Sequence, residues 1–261
     1  MPHALYKKAK IHFTESGKGI AVVLLHGFIE TSTMWDVFIP ELSKKYRLIC
    51  IDLPGHGNSE CFGYTHTMEE MAGCVVAVLK QLRIRKTRLV GHSMGGYVAL
   101  AFADLHPDYT TGICLFFSTS RSDSIQKKKD RTRAIDVVKE NHKSFIRIAF
   151  PKLFRSKYRL TKKIEIKIAK GEALRTSKQG IIAALEGMKI RPSREILLKF
   201  PPYPIHLISG KKDPVIPIST MDKQTNHSEN VYGIVLKESG HMGHIEAPED
   251  CLRELKWFLK L

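Results

Sequence analysis

Six short apolar runs recur along this chain, each followed by a polar turn and then by residues patterned for a helix. They are AVVLLHG (21–27), YRLICIDL (46–53), TRLVGHS (87–93), TGICLFFS (111–118), YPIHLISG (203–210) and VYGIVLKE (231–238). Runs this short and this continuously apolar suit strands that are covered on both faces. Helical patterns lie between them near residues 33–45, 68–83, 94–106, 217–226 and 248–260. This alternation predicts an α/β fold: βαβ units forming a mostly parallel, twisted sheet flanked by helices. The early segment KIHFTES is expected to add an antiparallel edge strand.

One interval breaks the rhythm. Residues 121–200 carry several helical patterns and no convincing strand, so a core domain (1–120 and 201–261) with a helical cap inserted at 121–200 is expected. Charge separates the two parts as well. The whole chain of 261 residues carries a net charge of +16, and residues 121–200 alone hold 23 Lys and Arg against 8 Asp and Glu. Such a segment reads first as a solvated basic face, and second as a surface for anionic substrates or a weak contact with an anionic surface. Nucleic acid is not an expected partner, because the KKK at 127–129 lacks a recognition motif or an aromatic stacking platform.

The five cysteines are scattered without a C-x-x-C pair, and their odd number does not suit a disulfide framework, so reduced thiols are expected. No apolar stretch approaches membrane-spanning length, and the opening MPHALYKKAKIHF lacks a signal-like apolar region. A cytoplasmic location is therefore expected.

The chemistry gathers at the ends of the predicted strands. GHSMGG (91–96) has the spacing G-x-S-x-G, in which a sharp strand-to-helix turn lifts a serine hydroxyl clear of the backbone. A hydroxyl is a poor nucleophile unless a base takes its proton and a third group orients the base. Ser93 is the candidate nucleophile; Asp213, in SGKKDPVIP, and His241, in SGHMGHIEAPE, supply an acid and a base after later strands. Two other residues compete for those roles: Asp123, which also follows a strand, and His244. An oxyanion formed at Ser93 needs two main-chain donors. The amides of Met94, at the start of a helix, and Phe28, after the first apolar run, are the candidates.

Taken together, LLHGF (24–28), DLPGHGNS (52–59), GHSMGG, SGKKDPVIP and SGHMGHIEAPE resemble the α/β-hydrolase fold, in particular the HGF-containing serine esterase and perhydrolase type. The likeness extends over nearly the whole chain. It implies the chain order Ser93, Asp213, His241 for the triad and favours His241 over His244 as the base. His26 and His56, both in turn motifs, are expected to be hydrogen-bonded scaffolding. Ile29-Glu30 stands where such enzymes often have a proline after HGF, so the oxyanion loop is expected to differ in shape and Glu30 to be within reach of the pocket rim.

Met34, Trp35, Leu153, Phe154 and Met188 are candidate pocket residues. No cofactor and no metal ion is expected: the chain has no Walker loop, no H-E-x-x-H and no G-x-G-x-x-G. The expected partner is a small-molecule acyl substrate, and the oligomeric state is left open. The expected activity is hydrolysis of a small or medium acyl ester through an acyl-enzyme. Thioester, lactone or C–C bond cleavage, perhydrolysis and a slow-turnover ligand-binding or signalling role remain as alternatives. Related epoxide- and halide-removing hydrolases use an aspartate nucleophile, which Ser93 argues against.

Overall fold

Alternating side chains of each central strand enter different cores, which explains why the runs are apolar throughout. In the third strand Val23 and Leu25 face one buried cluster, and Val22 and Leu24 face the other. The computed structural model describes residues 2–225 and 227–261. The first half runs β1 (His3–Tyr6), β2 (Ala9–Ser16), β3 (Ile20–Leu25), α1 (Ile39–Leu42), β4 (Tyr46–Ile51), α2 (Met68–Gln81), β5 (Thr87–His92), α3 (Met94–Leu105) and β6 (Thr110–Phe116). Then come α4 (Ile125–Ala149), α5 (Ser156–Thr161), α6 (Lys163–Ala173), α7 (Lys178–Ile190) and α8 (Ile196–Lys199). The chain ends with β7 (Ile205–Gly210), α9 (Ser219–Thr225), β8 (Val231–Leu236), α10 (Gly243–Glu246) and α11 (Pro248–Phe258).

The strands form one eight-stranded sheet in the order β1-β2-β4-β3-β5-β6-β7-β8. β1 pairs antiparallel with β2 and β2 with β4; the other neighbours are parallel. From β3 the chain moves to β4 on one side, and β5 then returns to the opposite side of β3. Loops leaving β3 and β5 thus diverge at their carboxyl ends, the crevice where open α/β sheets place ligands. Met71, Val75 and Val78 of α2 and Val98 and Phe102 of α3 bury one face; Trp35, Phe38, Leu255 and Phe258 bury the other. Thr67 starts α2 with a capping box: its side chain accepts from the Glu70 amide, and the Glu70 carboxylate accepts from the Thr67 amide.

Three expectations are corrected. KIHFTES lies in β2, but β2 is not the edge, because His3–Tyr6 pairs along its outer side as β1. The helix expected over 33–45 is broken into a 3-10 turn, Ser32–Trp35, and the short α1. Pro40 explains the break, since it lacks an N–H for a continuing helix and fits only the first turn of a new one. The helix expected over 217–226 is Ser219–Thr225, and position 226 lies outside the described residues.

Between β6 and β7 the chain is helical. Ser124 caps α4, and a break at Asn141 (φ −151°, ψ 93°) divides that helix in two. The Asn141 side chain accepts from the Ser144 amide and so restarts it. Most of the basic residues point outward, while Ile135, Val138, Phe150, Ile181, Leu185 and Met188 join the buried cluster that also covers the sheet. α7 lies unusually close to the loops after β4. A Cβ at Gly187 would overlap the His66 carbonyl, and a Cβ at Gly180 would overlap Gly55. The amide of His66 also donates to the Ala183 carbonyl (2.9 Å). All five cysteines are free; Cys61 is half-buried and the other four are buried.

Candidate active site

Ser93 follows β5 immediately and has φ 49° and ψ −110°, a left-handed conformation that a side chain rarely adopts. Two glycines make the turn possible. A Cβ at Gly91 would overlap Gly95, and one at Gly95 would overlap the Leu25 and His26 carbonyls, so α3 can start directly against β3 and β5. Main-chain bonds hold the turn: Ser93 N donates to Phe116 O (3.0 Å), and Ser118 Oγ donates to Ser93 O (2.7 Å). The backbone strain is held by these contacts.

His241 Nε2 stands 3.0 Å from Ser93 Oγ, and its Nδ1 is 2.7 Å from Asp213 Oδ2. The other carboxylate oxygen, Asp213 Oδ1, accepts from the amides of Val215 (2.7 Å) and Ile216 (2.9 Å), which fixes the acid after β7. The side chains of Asp213 and His241 are 1% and 4% exposed, so the relay is shielded from water. The loop carrying His241 is fixed by Glu246, which accepts from Gly240 N (2.5 Å) and from Arg155 N (2.8 Å) in the helical segment. Burial raises the Glu246 carboxyl above its ordinary value, against the opposing pull of those amides.

Phe28 N and Met94 N have no main-chain acceptor among the described residues. Beside them lies a buried network that the sequence reading did not anticipate. Glu30 Oε2 accepts from Gly27 N (2.7 Å) and from His92 Nδ1 (2.6 Å), while His92 Nε2 donates to the His241 carbonyl (3.0 Å). Both ring nitrogens of His92 face acceptors, so both carry protons and the imidazole is a cation. Burial opposes that charge, yet the Glu30 carboxylate holds the His92 pKa above its ordinary value. Burial likewise opposes the Glu30 charge, and His92 holds that carboxyl down to about 2. The only local sign of this pair in the sequence was Glu30 itself.

His26 and His56 act on main chain. His26 accepts from Leu53 N through Nε2 (2.8 Å) and donates from Nδ1 to Gly27 O (2.7 Å). His56 donates to Pro54 O (3.1 Å), and burial pushes it down to about 3. His244, beside Glu30, is pushed by burial down to about 4. Asp123, the competing acid, is engaged elsewhere, with Arg131 and with Arg191 (2.8 Å).

A cavity of about 120 Å³ opens at Ser93, with Phe28, Tyr97, Leu153, Met188 and His241 in its wall. Leu153 and Met188, two of the candidate pocket residues, are thus in that wall. Met34 instead lines a neighbouring groove of about 420 Å³ that shares Glu30 with the first. Trp35 and Phe154 line neither. Trp35 is fully buried against Phe38 and Phe116, and Phe154 packs on Phe150, because large rings at these positions fill core space. Lys127 and Arg131, in the stretch whose charge reads first as a solvated face and second as a surface for anionic substrates, also line the Ser93 cavity.

The family described as alpha/beta hydrolase fold matches residues 20–115. The chain is 30% identical over 249 residues to the dihydrolipoyllysine-residue acetyltransferase component of the acetoin cleaving system of Pseudomonas putida, covering 93% of this chain and 64% of that protein. It thus spans less than two thirds of that relative's length. It is 25% identical over 255 residues to a 2-hydroxy-6-oxo-6-(2'-aminophenyl)hexa-2,4-dienoic acid hydrolase of Metapseudomonas resinovorans, covering 95% of this chain and 86% of that one. Among solved structures, a thermophilic esterase from Thermogutta terrifontis superposes with a TM-score of 0.93 at 29% identity, covering 99% of this chain and 96% of the other. With its sheet order and the sharp turn at Ser93, the chain is a protein of the α/β-hydrolase fold.

Proposed function

We propose that this protein is a serine hydrolase that cleaves carboxylic esters through an acyl-enzyme. The observation that carries this reading is the continuous relay Ser93 Oγ, His241 Nε2, His241 Nδ1, Asp213 Oδ2, at 3.0 and 2.7 Å. His241 takes the Ser93 proton as Oγ attacks the ester carbonyl. The carbonyl oxygen becomes an oxyanion, which the Phe28 and Met94 amides receive. Collapse breaks the bond to the alcohol, and His241 returns its proton to that leaving oxygen. Water then enters, His241 deprotonates it, and a second tetrahedral intermediate releases the acid and restores Ser93. Asp213 stays ionised throughout and stabilises the imidazolium.

The helical segment 121–200 acts as the cap in this reading. What supports it is that Leu153 and Met188 line the Ser93 cavity and that the Arg155 amide shares Glu246 with the His241 loop. A cavity of about 120 Å³ favours short acyl chains. The test is a stopped-flow time course of p-nitrophenyl acetate, butyrate and octanoate with Ser93→Ala as control. Repeated turnover that the substitution abolishes supports the hydrolase. One equivalent released and then a stall points to the slow-turnover binding role, and release unaffected by Ser93→Ala overturns both.

A further inference from the structure

We infer that the Ser93 cavity takes substrates whose acyl part ends in an anionic group, a carboxylate above all, recognised by Lys127 and Arg131. The inference rests on the ester-hydrolase reading and adds the class of acyl group. Lys127 and Arg131 are four residues apart on α4, and both contribute to the wall of the cavity that contains Ser93. Like charges one helical turn apart repel, and positive charge in the first turn opposes the helix dipole. Such an arrangement costs stability on its own, and a bound anion near the two side chains offsets it.

The charges around them do not cancel. Asp123 is the one carboxylate bound into the cluster, and it is shared by Arg131 and Arg191 (2.8 Å). The Arg191 guanidinium in turn lies 3.8 Å from the centre of the Tyr97 ring, whose other surroundings include the cavity. The Lys127 side chain makes no ion pair or hydrogen bond among the described residues. Asp130, the other carboxylate near Lys127, is paired with Arg133 (3.2 Å), so with Asp123 counted once against Lys127, Arg131 and Arg191, two positive charges remain in excess. Glu30 also lines the cavity, but its charge is met by His92. Burial and then the neighbouring Arg131 lower the Lys127 pKa, against the opposing pull of Asp123 and Asp130.

Arg131 is tied to the fold through Asp123, so Lys127 is the informative position. The first measurement compares mono-p-nitrophenyl adipate with p-nitrophenyl hexanoate, in which a methyl replaces the carboxylate, each corrected for the rate with Ser93→Ala. The expected kcat/KM ratio favours the adipate by about tenfold or more, falls several-fold in Lys127→Gln, and shrinks with added salt. A ratio near one, or a ratio unchanged in Lys127→Gln, overturns the inference while leaving ester hydrolysis standing. Calorimetry with monomethyl adipate and Ser93→Ala protein reads binding without turnover. Binding that weakens about tenfold when Lys127→Gln is added supports the site even if neither ester is cleaved. No difference there overturns it on its own.

Discussion

Glu30 and His92 form a buried ion pair at 2.6 Å that joins the loop after β3 to the turn before Ser93. Glu30 also receives the Gly27 amide, and His92 reaches on to the His241 carbonyl, so one carboxylate fixes the loop after β3, the turn at Ser93 and the His241 loop together. The side chains are 5% and 2% exposed. Removing one member of such a pair leaves a buried charge without its partner, at a cost of about 3–5 kcal/mol. Glu30→Ala should lower stability by that order in urea titrations and reduce ester turnover more than it reduces substrate binding. A loss below about 1 kcal/mol would mean the pair contributes little.

The same pair gives stability a particular pH profile. The folded pKa of His92 is raised above its ordinary 6.5, so its contribution is complete below 6.5 and lost as pH rises through the raised value. Glu30, held at about 2, keeps its contribution at every pH above its ordinary 4.5 and loses it only as pH falls through about 2. His56, His206 and His244 act oppositely to His92: burial lowers them to about 3, 4 and 4, so the unfolded chain gains protons first. Stability should therefore fall as pH drops from about 6.5 towards 4, and fall again on the alkaline side. Melting curves across this range should peak near neutrality, and Glu30→Gln should flatten the alkaline decline by removing the charge that sustains His92. An alkaline limb identical in wild type and variant would remove His92 as its source.

Two glycines should respond in opposite senses to the same substitution. Gly95→Ala places a Cβ on the Leu25 and His26 carbonyls, which are fixed in the sheet and in the loop beyond it. It should cost more than about 2 kcal/mol and displace Ser93. Gly171 lies within α6 with nothing near its added Cβ and with an ordinary helical φ. Gly171→Ala should stabilise by about 0.5–1 kcal/mol through the unfolded state and helix propensity. Thermal melts of both variants provide the comparison.

The sequence was most legible where a local rule and the fold coincide. Continuous apolar strands and the glycines around Ser93 each have a physical cause that acts within a few residues. Ser93, Asp213 and His241 could be read because each sits at a strand's end, where the topology brings the loops together. The pocket was less legible, since Trp35, Phe154 and Met188 share hydrophobicity and only the three-dimensional path of the chain decides which faces the cavity. His92 and Lys127 illustrate the other limit. A histidine beside a nucleophile and a lysine in a basic run look ordinary until a partner 62 residues away in sequence, or a cavity wall, gives them a role.

Glu246 connects the helical segment to the base. One of its oxygens holds Gly240, the residue before His241, and the other holds Arg155, while His241 N reaches towards Leu153 O at 3.4 Å. Glu246→Ala would leave two amides without their acceptor in a buried site, at about 1–3 kcal/mol each. More tellingly, it would free the His241 loop to move relative to Ser93. A displacement of about 1 Å at a reacting group is enough to lower turnover on the order of a hundredfold. The expected result is a large fall in kcat with the protein still folded, and a partial return in Glu246→Gln, whose amide oxygen can hold one of the two donors. A variant that loses stability but keeps wild-type kcat would show that Glu246 braces the fold alone.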